Sequence, residues 1–290
     1  LISLTQSYFM KRLILLFISI TSTTLVFSQA TTWESVYNVL QTNCGSCHVA
    51  GHESGLDLSA SISEVYDNLY DISPANATSA GKGYKRVFPG EPYKSFLFSK
   101  VNNGLALDVN LEAGEGAACP QGASPLNNKD IELIRQWIMY GAYESDTAVD
   151  IALINEFYDN DGIQSVPSPP APPAVGEGFQ IHFGPFFLWP EAEHEYFTKF
   201  HTQIPTDQEV IRVDTYMGEY SHHFITYRFT DAFWTDYTPY GLHDGPDFAG
   251  IDLVTANQYP QNIVLPEGTA FKWVNNTVLN LNSHYINYSP

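Results

Sequence analysis

"VPSPPAPPAVGEG", residues 166–178, divides this chain into two segments that follow different rules. Five prolines between Pro167 and Pro173 fix φ and remove backbone donors, so an extended, semi-rigid polyproline II spacer is expected. Before it, apolar residues recur at helical spacing. Trp33 to Leu40 carries Trp33, Val36, Tyr37 and Leu40 on one face, and Ile62 to Leu69 repeats the pattern more weakly. The strongest segment is "NNKDIELIRQWIMYGA", 127–142. Asn128 is expected as N-cap, Asp130 and Glu132 sit in the first turn, and Gly141 is the stop. Its stripe is Ile131, Ile134 and Ile138, flanked by Leu133 and Trp137.

After the spacer the period falls to two in "VIRVDTYM" (210–217), "HHFITYRF" (222–229), "FKWVNN" (271–276) and "VLNLNSHYINY" (278–288). Pro- and Gly-containing turns such as "LPEGT" separate these runs. The expectation is a multidomain chain: an all-α unit over 31–165, the linker, and an all-β antiparallel, jelly-roll-like sandwich over 179–290. No internal repeat is visible.

Composition narrows the function classes. Hydrophobic residues are 44% of the 290, enough for each half to bury a core, and the 14% aromatic content favours sheets. A formal charge of −19 with only 13 Lys and Arg leaves no basic face for nucleic acid. "MKRLILLFISITSTTLVFSQA", from Met10, has the charged, apolar and small-residue order of an export signal ending near Ser28 or Ala30. Thr21 to Thr24 interrupt its apolar run below a membrane span, so a periplasmic or secreted protein, not membrane-spanning after cleavage, is expected. Residues 1–9 read as upstream of the true start.

"TNCGSCHVAG", 42–51, contains Cys44, Cys47 and His48 as C-x-x-C-H. Two thiols three positions apart can form thioethers to both haem vinyl groups while the adjacent imidazole binds the iron. A zinc half-site would need a second ligand pair, which Cys119 and scattered histidines do not supply. Covalent haem c is the expected cofactor. Cys119 is the leftover cysteine; it could ligate the iron as a thiolate, or the haem could be five-coordinate. Met139, inside the last helix, reads as a packing residue.

The second constellation is His222-His223 in "EYSHHFITYRF" with His284 in "NLNSHYINYSP". Neighbours in an ideal strand point to opposite faces, so His222 and His223 can share a metal only at a bulge or strand end. Otherwise one packs inward and the other is solvated. Three imidazoles suit copper or zinc.

Two resemblances add to these readings. Residues 33–145, through "CGSCH", "GLDLS" (55–59), "RVFPGEPYKSFLF" (86–98) and "SPLNNKDIELIRQWIMYGA" (124–142), resemble class I-like cytochrome c domains fused to secreted bacterial enzymes. That family usually supplies a Met-Pro before the last helix, where this chain has Cys119-Pro120. Residues 179–290 resemble the N-terminal half of the copper type II, ascorbate-dependent monooxygenases, the peptidylglycine and dopamine hydroxylase family. The matching features are the His-His strand, the His-Tyr strand and "FGPFFLWPEAEHEYF" (183–197).

The resemblance implies that His222, His223 and His284 hold an electron-transferring copper, with His243 in reserve and His182, His194 and His201 at the surface or structural. It also implies an external electron donor and a small-molecule or peptide substrate hydroxylated with O₂. No His-x-His or methionine of the family's second copper site follows, so a truncated reading frame is expected. The alternative is a non-enzymatic haem c electron-transfer or binding protein whose sandwich takes a ligand or partner; a haem-based sensor is a third reading.

Overall fold

The computed structural model describes residues 30–160, 162, 169–174, 176–218, 220–244 and 249–290. The expected export signal and part of the proline spacer therefore lie outside the described residues.

Helix α1 (Thr32–Cys44) begins on a capping box: Glu34 N donates to Thr31 Oγ1 at 3.1 Å, and Thr31 N donates to Glu34 Oε2 at 2.7 Å. Trp33, Val36, Leu40 and Cys44 form its buried face, so the helix delivers the first cysteine of C-x-x-C-H into the core. Helix α2 (Ile62–Leu69) uses the same device with Ser61 and Glu64. The short α3 (Ala77–Gly81) and α4 (Phe96–Val101) follow. In α5 (Asn128–Met139) the cap is Asn127 rather than the expected Asn128, because Asn127 Oδ1 accepts from Asp130 N at 2.9 Å. Every residue from Ile131 to Met139 is buried, and Trp137 stacks on Trp33 at 5.1 Å to lock α5 against α1. Helix α6 (Ile151–Asp159) packs on α5.

The later segment has β1 (Glu193–His201), β2 (Gln208–Val210), β3 (Arg212–Thr215), β4 (Ser221–Phe229), helix α7 (Ala232–Tyr237), β5 (Ile251–Asn257), β6 (Gln261–Val264), β7 (Phe271–Trp273) and β8 (Val278–Ile286). A four-stranded antiparallel sheet runs β1-β8-β4-β5, and β2-β7 and β3-β6 form separate two-stranded ribbons. Leu279 and Leu281 on β8 pack with Val210, Val213 and Trp273 of the ribbons, so the ribbons cover one face of the sheet.

This architecture corrects the expectation of an all-α cytochrome c domain followed by an all-β jelly-roll-like sandwich. The fold is mixed. Among the described residues, four of the seven α-helices exceed seven residues, and the early segment carries the isolated bridges Tyr70–Val87 and Lys85–Ser95. The reason lies in its punctuation: residues 102–127 hold Gly104, Gly114, Gly116 and Gly122 at positive φ, with Pro120 and Pro125. No helix can run through such a stretch. The later segment is not all-β either, since α7 breaks the path from β4 to β5. Among the described residues no helix is long and apolar enough to cross a membrane.

The two segments are in direct contact. Arg135 of α5, 1% exposed, donates to both carboxylate oxygens of Glu132, at 2.5 and 2.9 Å, and across the junction to Pro185 O at 2.8 Å. Burial alone would lower the guanidinium's pKa, but Glu132 and Tyr93 beside it leave it raised. Met139 packs with Tyr196 of β1 and Leu242, in keeping with a packing role. His201 donates its backbone N to Glu91 at 2.9 Å, and His182 Nδ1 lies 2.6 Å from Asp108 while its ring stacks on Tyr93.

Candidate metal centre

The sequence leaves open whether His222 and His223 face the same way. Backbone register decides it. Against β8, His223 pairs with His284 and Ser221 with Tyr285, so His222 is the extra residue of a bulge. The bulge interrupts the alternation that would send the two rings to opposite faces. His222, His223 and His284 consequently converge, each offering a nitrogen within 4.8 Å of the others. Among the described residues this is the one group of three or more His, Cys, Asp or Glu so arranged.

The nitrogens are distinguishable. His284 Nε2 lies 2.7 Å from Glu193 Oε1; His223 Nε2 lies 3.2 Å from Glu195 Oε1 and 3.0 Å from Asn282 Oδ1. Ionised carboxylates and amide oxygens only accept, so each Nε2 carries the proton and donates it. In a neutral ring that leaves Nδ1 with its lone pair. His284 Nδ1 sits 3.1 Å from His222 Nδ1. Two nitrogens each about 2.0–2.1 Å from one ion are separated by roughly 3–4 Å, so this spacing fits a shared cation.

The ring of His222 is exposed and the other two are half-buried, so the centre is open to solvent on one side. A cleft of about 370 Å³ adjoins His223, lined also by Ile225, Ala256, Tyr259 and Gln261. Three imidazoles in this arrangement can hold Cu or Zn while leaving a coordination position free.

The C-x-x-C-H motif closes α1. Cys44 is buried and Cys47 exposed, and both are free thiols, as is Cys119. Burial, then Cys119 and Cys47, pushes the Cys44 thiol up to about 11. His48 Nδ1 lies 3.2 Å from Ser54 Oγ, which leaves Nε2 as the nitrogen able to bind iron. Burial, then His52, whose ring lies 4.3 Å away, lowers the His48 pKa from its ordinary value. The local residues thus fit covalent haem with His48 as axial ligand.

The remaining histidines stand apart from the three-histidine centre. His243 forms an antiparallel bridge with Phe197, His194 pairs with Asp244 at 2.7 Å, and His201 and His182 pair with Glu91 and Asp108. Sequence reasoning missed Glu193, Glu195 and Asn282. Their signal was present as polar residues two apart: Glu193 and Glu195 in β1, and Asn280, Asn282 and His284 interrupting the apolar β8.

Compared with protein-family models, with curated proteins and with solved structures, the chain matches none.

Proposed function

We propose that this chain is an exported redox protein that binds a type II copper at His222, His223 and His284 and carries haem c on Cys44, Cys47 and His48. The observation that carries the reading is the bulge at His222, which assembles three imidazoles from sequence positions 62 residues apart into one donor set. A bulge is a local disruption of the sheet ladder, and such irregularities concentrate beside functional sites. An accidental His-His pair would not require one.

Copper cycling between two oxidation states, together with a covalent haem in the same chain, would supply one-electron chemistry, with an external donor at one end. The chain's own residues perform simpler tasks. His223 and His284 present Nδ1 because Glu193, Glu195 and Asn282 hold Nε2. Ser54 orients His48. The cleft beside His223 gives a small partner or substrate access to the centre. The proposed activity is the electron-transferring part of a copper-dependent monooxygenase that hydroxylates a C–H bond with O₂.

Metal analysis of protein produced in an exporting, haem-maturing host tests this. One copper and one covalently held haem iron per chain are expected. His284→Ala should abolish the copper while leaving haem intact, and Cys47→Ala should remove the haem without touching copper. Iron alone would leave a haem electron carrier, and copper retained by His284→Ala would reject the site. Mixing reduced protein with Cu(II) then reads the link between the centres: no haem reoxidation beyond a His222→Ala control excludes electron transfer to copper.

A further inference from the structure

Glu193 and Glu195 are two carboxylates on one face of β1. They lie two apart in β1, so both project on the face that carries His284 and His223, while His194 between them turns away to Asp244. Their side chains are 61% and 45% exposed, and an exposed glutamate gains little by fixing its rotamer on a neutral partner. Yet each is aimed at the outer nitrogen of a different ring of the histidine trio. Glu195 also accepts from Asn282 Nδ2 at 3.1 Å, and Asn282 in turn donates to Tyr196 O at 3.2 Å, so this carboxylate is itself braced against β1.

We propose that Glu193 and Glu195 are the positioning residues of the metal centre, an inference that rests on reading the three histidines as a copper site. Neither touches the ion. Glu193 fixes the tautomer and orientation of His284, and Glu195 does the same for His223, so that Nδ1 is the ligating atom of both. A carboxylate accepting from the far N–H also makes the imidazole a stronger donor. Two negative charges beside the centre favour the doubly charged copper over the singly charged one. His222 sits on the bulge and is the most exposed of the three rings. The design is asymmetric: two braced rings on paired strands, and one ring on a bulge.

The test uses the full chain with Glu193→Gln, Glu195→Gln and Glu195→Ala, read by competition of Cu(II) with a chelator at fixed pH, by the copper EPR spectrum and by the copper reduction potential. Each Gln variant should weaken Cu(II) binding by about 10- to 100-fold, with Ala at 195 weaker than Gln. The potential should move upward and the hyperfine splitting should change, with circular dichroism unaltered. A purely structural role would move none of the copper readouts. Wild-type affinity, potential and spectrum in both Gln variants overturn the proposal. Nitrogen-15 NMR of the metal-free wild type gives an answer independent of how the variants fold: His223 and His284 should be Nε2–H tautomers, and Nδ1–H tautomers reject the assignment. If wild type binds no Cu(II), the copper reading itself falls and this inference with it, an outcome separate from variants that bind normally.

Discussion

Arg135→Met is expected to destabilise the protein by about 3–5 kcal/mol, because it strands the Glu132 carboxylate in the interior. Glu132 is 2% exposed, and after the change only Gln136 Nε2, at 2.7 Å, would still donate to it. Pro185 O would lose its donor at the junction as well. The loss is one of compensation rather than of packing, since methionine fills much of the arginine's volume. The double variant Arg135→Met, Glu132→Leu should therefore recover most of the stability, as replacing a whole buried ion pair by apolar residues is often close to neutral. Equilibrium denaturation of the two variants measures both effects. A single variant as stable as wild type would show that Glu132 is solvated or protonated at no cost.

The second large effect is expected at Gly241. Its φ is +80°, and a Cβ there would meet Gly141 N at 2.2 Å and Tyr140 C at 2.4 Å. Both are backbone atoms of the turn ending α5, so no side-chain rotation can relieve the clash. The loop holding Gly90 closes from the other side, with its own Cβ direction 2.6 Å from Gly241 N. Gly241→Ala thus combines a left-handed backbone strain with an overpacked backbone contact, on the order of 2–4 kcal/mol together. The damage should appear at the junction first: Leu242 N donates to Met139 O at 3.0 Å, and hydrogen exchange at Leu242 should rise before that of the β8 core. Gly51 is the control. It also has positive φ, yet nothing lies within 4 Å of its Cβ direction, so alanine there should cost only the backbone strain.

Both positions were invisible in the sequence for the same reason. Arg135 reads there as one polar residue on a helix with an apolar stripe, and Gly241 as one turn glycine among 20. Gly241 acquires its importance from the turn after α5, 100 residues away, and Arg135 from a burial that the packing of the later segment completes through Pro185 O. The fold-class expectation failed in a related way. The strong stripes of α1 and α5 are real, and Leu133, Trp137 and the three isoleucines are all buried. The glycine-rich stretch between them carries no period to read, and the periodic segments alone gave the impression of an all-α unit. In the later segment, "HHFITYRF" and "VLNLNSHYINY" were legible as strands because their alternation is regular, and they are the central pair β4 and β8. The "AFWTDY" turn of α7 was not, since none of its residues is buried and it leaves no stripe.

Local rules acting within a few residues are written in the sequence itself: the capping box at Thr31, the burial face of α1, the C-x-x-C-H turn and the strand character around the histidines. What only the tertiary structure decided is which of these features meet. Whether His222 and His223 face together depends on the register between β4 and β8, and a one-residue bulge settles it. Whether Glu193 and Glu195 matter depends on β1 lying beside β8 with Glu195 opposite His284. Strand alternation is a property of one segment, but register is a property of two, set by the packing of both faces at once.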